Sequence, residues 1–84
     1  MTEQISNVVR EAQALAALPD PEERRRIRIH AGVTQAQFGA ALGVAREVVA
    51  KFESGERRPK GLVLLLYVEL LRQLSDVREG AYRT

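Results

Sequence analysis

The sequence predicts an all-α fold, a compact five-helix domain, and three observations predict it. Apolar residues recur three and four apart through most of the 84 residues. Proline and glycine stand between those runs, where helices begin and end. No stretch reads as a convincing strand, and neither an internal repeat nor a low-complexity tract interrupts the pattern.

The first helix is expected from about Glu3 to Leu18, where Ile5, Val8, Val9, Ala12, Leu15 and Ala16 keep helical spacing. Pro19 ends it. Asp20 is placed to cap the second helix, with Pro21 at the first helical position and Glu23 completing a box-like pair. That helix runs to about Ala31, and Gly32 stops it. Thr34-Gln35-Ala36-Gln37 opens the third as a capping box, and Leu42-Gly43 closes it. The fourth spans about Ala45 to Ser54, before Gly55. Pro59 and Gly61 precede the fifth, about Leu62 to Asp76. Val63 to Val68 resembles a buried strand in isolation, but the apolar run continues into Glu69-Leu70-Leu71-Arg72-Gln73-Leu74, and that length favours helix. Residues from Arg78 onward are expected to fray. The chain therefore divides into an accessory amphipathic helix for packing or dimerisation (1–19), a central domain (20–77) and a tail (78–84).

Composition narrows the chemistry. There are no cysteines, so disulfides and thiolate metal sites are excluded, and one histidine cannot build a metal cage. No nucleophile–base set or phosphate-cradling glycine loop is present, so neither an enzyme nor a cofactor is expected. His30, at the end of the second helix, suits an exposed position favoured by the helix dipole better than an acid–base role. The N-terminal stretch lacks the pattern of a secretory signal, and the apolar run from Leu62 to Val68 is far short of the ~20 residues that span a bilayer. A cytoplasmic protein is expected. The net charge is only +2. Its distribution says more: Arg24, Arg25, Arg26 and Arg28 form one basic cluster, and Arg57, Arg58 and Lys60 another. Such clusters suit phosphate contacts or a solvated face with ordinary salt bridges.

Gln35 to Ser54 has the grammar of two short helices joined by a glycine-containing turn. Phe38, Leu42, Val44, Val49 and Phe52 point inward, Gly39 is small where the helices would cross, and Gly43 sits in the turn. The stretch Val33 to Pro59, with Thr34-Gln35, Leu42-Gly43-Val44, Glu53-Ser54-Gly55 and the downstream proline, resembles the lambda-repressor-like, XRE-type helix-turn-helix family. The resemblance covers about Ile27 to Leu74. It implies a lambda-repressor-like DNA-binding domain carrying an extra N-terminal helix, with double-stranded DNA as partner and the fourth helix in the major groove. Three positions depart from the family pattern. Gly39 replaces the usual Ala, which predicts a looser third helix by about 1 kcal/mol. Ala45 replaces a capping Ser or Thr. Ala50 stands where a polar residue is common.

By that resemblance, Arg28 and Glu53 form a semi-buried structural ion pair. Arg46, Glu47, Val48, Ala50 and Lys51 face away from Val49 and Phe52 and are the base-contact candidates. Arg and Lys can pair with guanine, Glu can accept from cytosine, and Val48 or Ala50 can meet a thymine methyl. Arg46 and Glu47 could instead only solvate the helix start, and Lys51 could bind phosphate. The phosphate-contact candidates are Thr34, Gln35, Gln37, Ser54, Arg57, Arg58 and Lys60. For Thr34 and Gln37 simple capping is the favoured reading over phosphate contact, and for Gln35 phosphate contact is favoured.

The fifth helix reads as apolar on two faces. Leu64, Val68 and Leu71 are expected to cover the core. Val63, Leu66, Tyr67, Leu70 and Leu74 are expected to form a second packing face, for the first helix or for a second copy. A homodimer on a palindromic operator follows, in the manner of a small phage- or plasmid-type repressor or autoregulator acting at the nucleoid. The competing reading is an antitoxin or adaptor that holds a partner protein through the first helix or the surplus face of the last.

Overall fold

The computed structural model describes the backbone of residues 2–81, with side chains through Val77. Its five helices are α1 (Thr2–Ala17), α2 (Pro21–His30), α3 (Gln35–Leu42), α4 (Arg46–Ser54) and α5 (Gly61–Ala81). Local chemistry sets most of these bounds. The Thr34 Oγ1 accepts from the Gln37 amide at 3.0 Å, and the Gln37 Oε1 accepts from the Thr34 amide at 2.9 Å, so both halves of the capping box form. Gly43 closes α3 at φ 76°, a left-handed conformation that glycine adopts without steric cost.

Two boundary expectations are corrected. Asp20 occupies the N-cap of α2, but its side chain makes no capping bond. Glu23 turns to Arg26 at 2.8 Å instead of reaching back, so neither half of the expected box forms. The fifth helix does not end near Asp76 but continues to Ala81, through the first residues of the expected frayed tail. Nothing in Val77-Arg78-Glu79 breaks a helix. Residues 82–84 of that tail lie outside the described residues.

The core is built from Ile27, Phe38, Leu42, Val49, Phe52, Tyr67 and Leu71. Tyr67 is its centre. The ring is fully buried, meets Phe38 edge-on at 5.2 Å between centroids and lies 5.5 Å from Phe52. This corrects its assignment to a surplus face of α5. Leu64, Tyr67 and Leu71 follow a three-then-four spacing and form the stripe turned inward. Val63, Leu70 and Leu74 flank that stripe and are half-buried against the core, and of the five residues expected on a second face only Leu66 remains exposed.

Helix α1 packs on α5 in the same chain. The contact runs through buried Ala14 and through the Glu11 carboxylate, which accepts from the Gly61 amide at 3.0 Å and so caps the start of α5 across 50 residues. Leu18 packs against the core just after α1 ends.

Candidate nucleic-acid interface

Helices α3 and α4 meet at Gly39. A Cβ built there would lie 2.7 Å from the Val44 carbonyl oxygen. The Val44 amide in turn donates to the Gly39 carbonyl at 2.9 Å. Only a hydrogen side chain allows the turn to sit this close, which accounts for glycine at a position where the family pattern has alanine.

The orientation of α4 is set by Val49, Phe52 and Glu53, all buried. Glu47, Lys51 and Ser54 project from the opposite side and are exposed, as is Arg46 at the start of the helix. Val48, expected to face outward, is half-buried and packs against the core cluster. It lies about 100° round the helix from Val49, on the flank that leans toward Val63. Ala50 is half-buried on the other flank. Helix α4 therefore presents a narrower outward face than its sequence suggests.

A chain of polar contacts ties that face to the interior. The Arg28 guanidinium donates to both oxygens of Glu53, from Nε at 2.6 Å and from Nη2 at 3.0 Å, and its Nη1 donates to the Val33 carbonyl at 2.8 Å. Glu53 also accepts from Gln35 Nε2 at 3.1 Å. The Gln35 Oε1 then accepts from Arg46 Nη1 at 3.3 Å. Arg46 also lies 3.6 Å from the Glu47 carboxylate. Gln35 thus links the buried ion pair to the first residue of α4.

The remaining candidates divide by what already engages them. Thr34 and Gln37 side chains are occupied by the capping box. The Ser54 hydroxyl donates to the Lys51 carbonyl at 3.1 Å and accepts from the Glu56 amide at 3.3 Å, closing the end of α4. Arg57, Arg58 and Lys60 are exposed on the connection to α5, around buried Pro59.

Arg24, one of the basic cluster with Arg25, Arg26 and Arg28, is turned inward and has another task. Its Nε donates to the Pro19 carbonyl at 2.7 Å, its Nη1 donates to the Phe52 carbonyl at 2.9 Å, and its guanidinium lies 5.7 Å from the Tyr67 ring centroid. It pins the end of α4 to the start of α2. Composition cannot distinguish Arg24 from Arg25, because only the fold decides which arginine of a run faces inward. The Tyr67 hydroxyl beneath it is buried with no hydrogen-bond partner among the described residues. Burial pushes its pKa up to about 12, with the Arg24 charge opposing part of the rise.

Among the described residues no cluster of His, Asp or Glu could hold a metal ion, and no helix is long and apolar enough to cross a membrane. A family model described as helix-turn-helix matches residues 25–75, more than half of the chain. No curated protein and no solved structure matches.

Proposed function

Since the chain belongs to the XRE-like helix-turn-helix family and is thereby a DNA-binding transcription regulator, we propose that it is a repressor that binds a palindromic operator as a homodimer. One observation carries the reading. The outward face of α4 is polar and charged, and it is held rigid from behind by Gly39, Arg24 and the Arg28–Glu53 pair. A helix fixed in this way can enter the major groove without ordering cost.

In this reading Arg46, Glu47 and Lys51 address base edges, and Ala50 offers at most a methyl contact. Gln35 and the free amides at the start of α3 meet one phosphate, and Arg57, Arg58 and Lys60 follow the backbone beside the groove. Ser54, Thr34 and Gln37 contribute through the amides they order, since their side chains are engaged within the protein. Repression follows by occlusion of polymerase. The protein acts in the cytoplasm, at the nucleoid.

Selection from a random DNA pool with the purified chain tests this. Enrichment of a two-fold symmetric sequence supports the proposal. Enrichment of no sequence, with binding that depends on salt alone, overturns it.

A further inference from the structure

Helix α1 has an apolar stripe that the domain leaves largely open, its Val8, Ala12 and Leu15 edge bordering a cleft against Pro59 and Leu64. Ala14 and Glu11 make the closest contact with α5, and most of the remaining apolar surface is open to solvent. The stripe carries Ile5, Val8, Val9 and Leu15, which are 64%, 68%, 48% and 42% exposed, together with exposed Ala12 and Ala16. An amphipathic helix that packed only to complete its own domain would bury these residues. We propose that this stripe is the dimer interface, and that it is covered by α1 of a second copy of the chain. The proposal rests on the homodimer reading above and locates it.

Three features favour an identical partner. Ile5, Val8, Ala12 and Leu15 are spaced three, four and three apart, the repeat that lets two helices interlock along a seam, and Val9 and Ala16 widen it. The edges of the stripe carry Gln4 and Gln13, while Glu3 and Arg10 lie on the far side of the helix. On the side of the stripe that faces the domain, Arg58 and Lys60 border the cleft, with Glu11 beside them as the opposite charge. The area also fits. The open fractions amount to on the order of 400 Å² of apolar surface, at the upper end of what soluble monomers expose. A specific interface covers about 800 Å² per partner with roughly 57% of it apolar, or about 450 Å². Because α1 is already helical and anchored by Glu11, pairing does not have to order it.

The exposed alternative is Leu66 on α5, with Leu62 nearby at 69% exposed. The test compares the two surfaces by sedimentation equilibrium of the full chain at high micromolar concentration without DNA. The wild type is expected at twice the chain mass of 9.4 kDa. The double variant Ile5→Glu/Val8→Glu should weaken dimerisation by at least about 100-fold while keeping the helical circular dichroism and the low-salt affinity for a short random duplex. Leu66→Glu should remain dimeric. A second measurement covers the case in which the double variant misfolds. The chain has no cysteine, and Ala12 lies on the stripe, where it meets its own copy in parallel pairing and lies about one helical turn from it in antiparallel pairing. Mild oxidation should therefore cross-link Ala12→Cys faster than Leu66→Cys.

A wild type that is monomeric overturns the proposal and the homodimer with it. A dimer lost in Leu66→Glu but kept in Ile5→Glu/Val8→Glu, or one that cross-links faster at position 66, overturns the proposal and leaves the homodimer standing. A stripe that binds a co-purifying protein of different mass in place of a second copy also overturns it. Loss of duplex binding by the wild type would count against the DNA reading alone.

Discussion

Arg28 and Glu53 meet through two hydrogen bonds across 25 residues of sequence, with both side chains almost wholly buried. Every polar atom of the pair that faces the interior finds a partner, since Val33 and Gln35 complete it. Removing one member leaves the other charged, buried and unpaired. Glu53→Ala should therefore cost about 3–5 kcal/mol of unfolding free energy. Glu56→Ala, at an exposed carboxylate in the next loop, should leave stability nearly unchanged. Urea denaturation of the two variants checks this, and equal midpoints would show that the pair does not hold the fold.

Tyr67 is the reverse case, a buried polar atom with nothing to lose. Its ring is the centre of the core, and its hydroxyl meets the distance and angle of a hydrogen bond with none of the described residues, though the Arg24 guanidinium lies close by. Tyr67→Phe should leave stability unchanged or raise it by about 1 kcal/mol, and a loss of that size would mean that the hydroxyl is satisfied in solution. The two proteins should also separate in alkali. The unfolded hydroxyl ionises near 10, whereas the buried one stays protonated to about 12. Below pH 10 the contribution of the raised pKa is fully present. Between about pH 10 and 12 the wild type loses stability, by at most about 1.4 kcal/mol per pH unit, and Tyr67→Phe does not share that loss.

Gly39→Ala sets two effects against each other. Helix propensity favours the alanine by about 1 kcal/mol. The new methyl would sit 2.7 Å from the Val44 carbonyl oxygen, and the turn cannot retreat without losing its own bond to Gly39. The clash should win, for a net loss of about 1–3 kcal/mol. A variant melting above the wild type would show that the turn is free to move.

Arg57 and Arg58 are exposed and free of the internal bonds that occupy Arg24 and Arg28. If each neutralises one phosphate, Arg57→Ala and Arg58→Ala should each flatten the dependence of log affinity on log salt by about 0.9. Each should also weaken binding to all duplexes alike. Fluorescence anisotropy over a salt series reads both effects, and a loss confined to one sequence would assign the residue to base contact.

Much of the fold was legible because its punctuation is chemical. Pro21, the Thr34–Gln37 box, Gly43 and Gly55 mark helix ends by what their backbones and side chains can do, and the observed helices start and stop beside them. What was not legible concerned direction. In α5, leucine or valine lies on nearly every side, so periodicity could not say that the Tyr67 stripe faces inward. In α1 the apolar stripe was evident, but amphipathicity does not say what covers it, and the domain packs through Ala14 and Glu11 and leaves most of the stripe open. Arg24 looked like Arg25 and Arg26 because a run of arginines has no inside until the helix is packed, whereas Arg28 was legible only through the family resemblance that pairs it with Glu53. Gly39 looked like a small loss of helix propensity, since the carbonyl that forbids a methyl comes from the following turn.

The bond from Glu11 to Gly61 has a consequence for the field around the interface. Gly61 follows directly on Lys60, so α1 places a carboxylate where three cations gather. With Arg57, Arg58 and Lys60 counted as three positive charges, and Glu56 and Glu11 as two negative, the neighbourhood is left with a formal charge of +1. The positive end of α5 is answered there as well. Indiscriminate attraction to polyanion grows with each cation engaged. If the protein reads DNA as proposed, the accessory helix holds that attraction in check and leaves the choice of sequence to the few groups on α4.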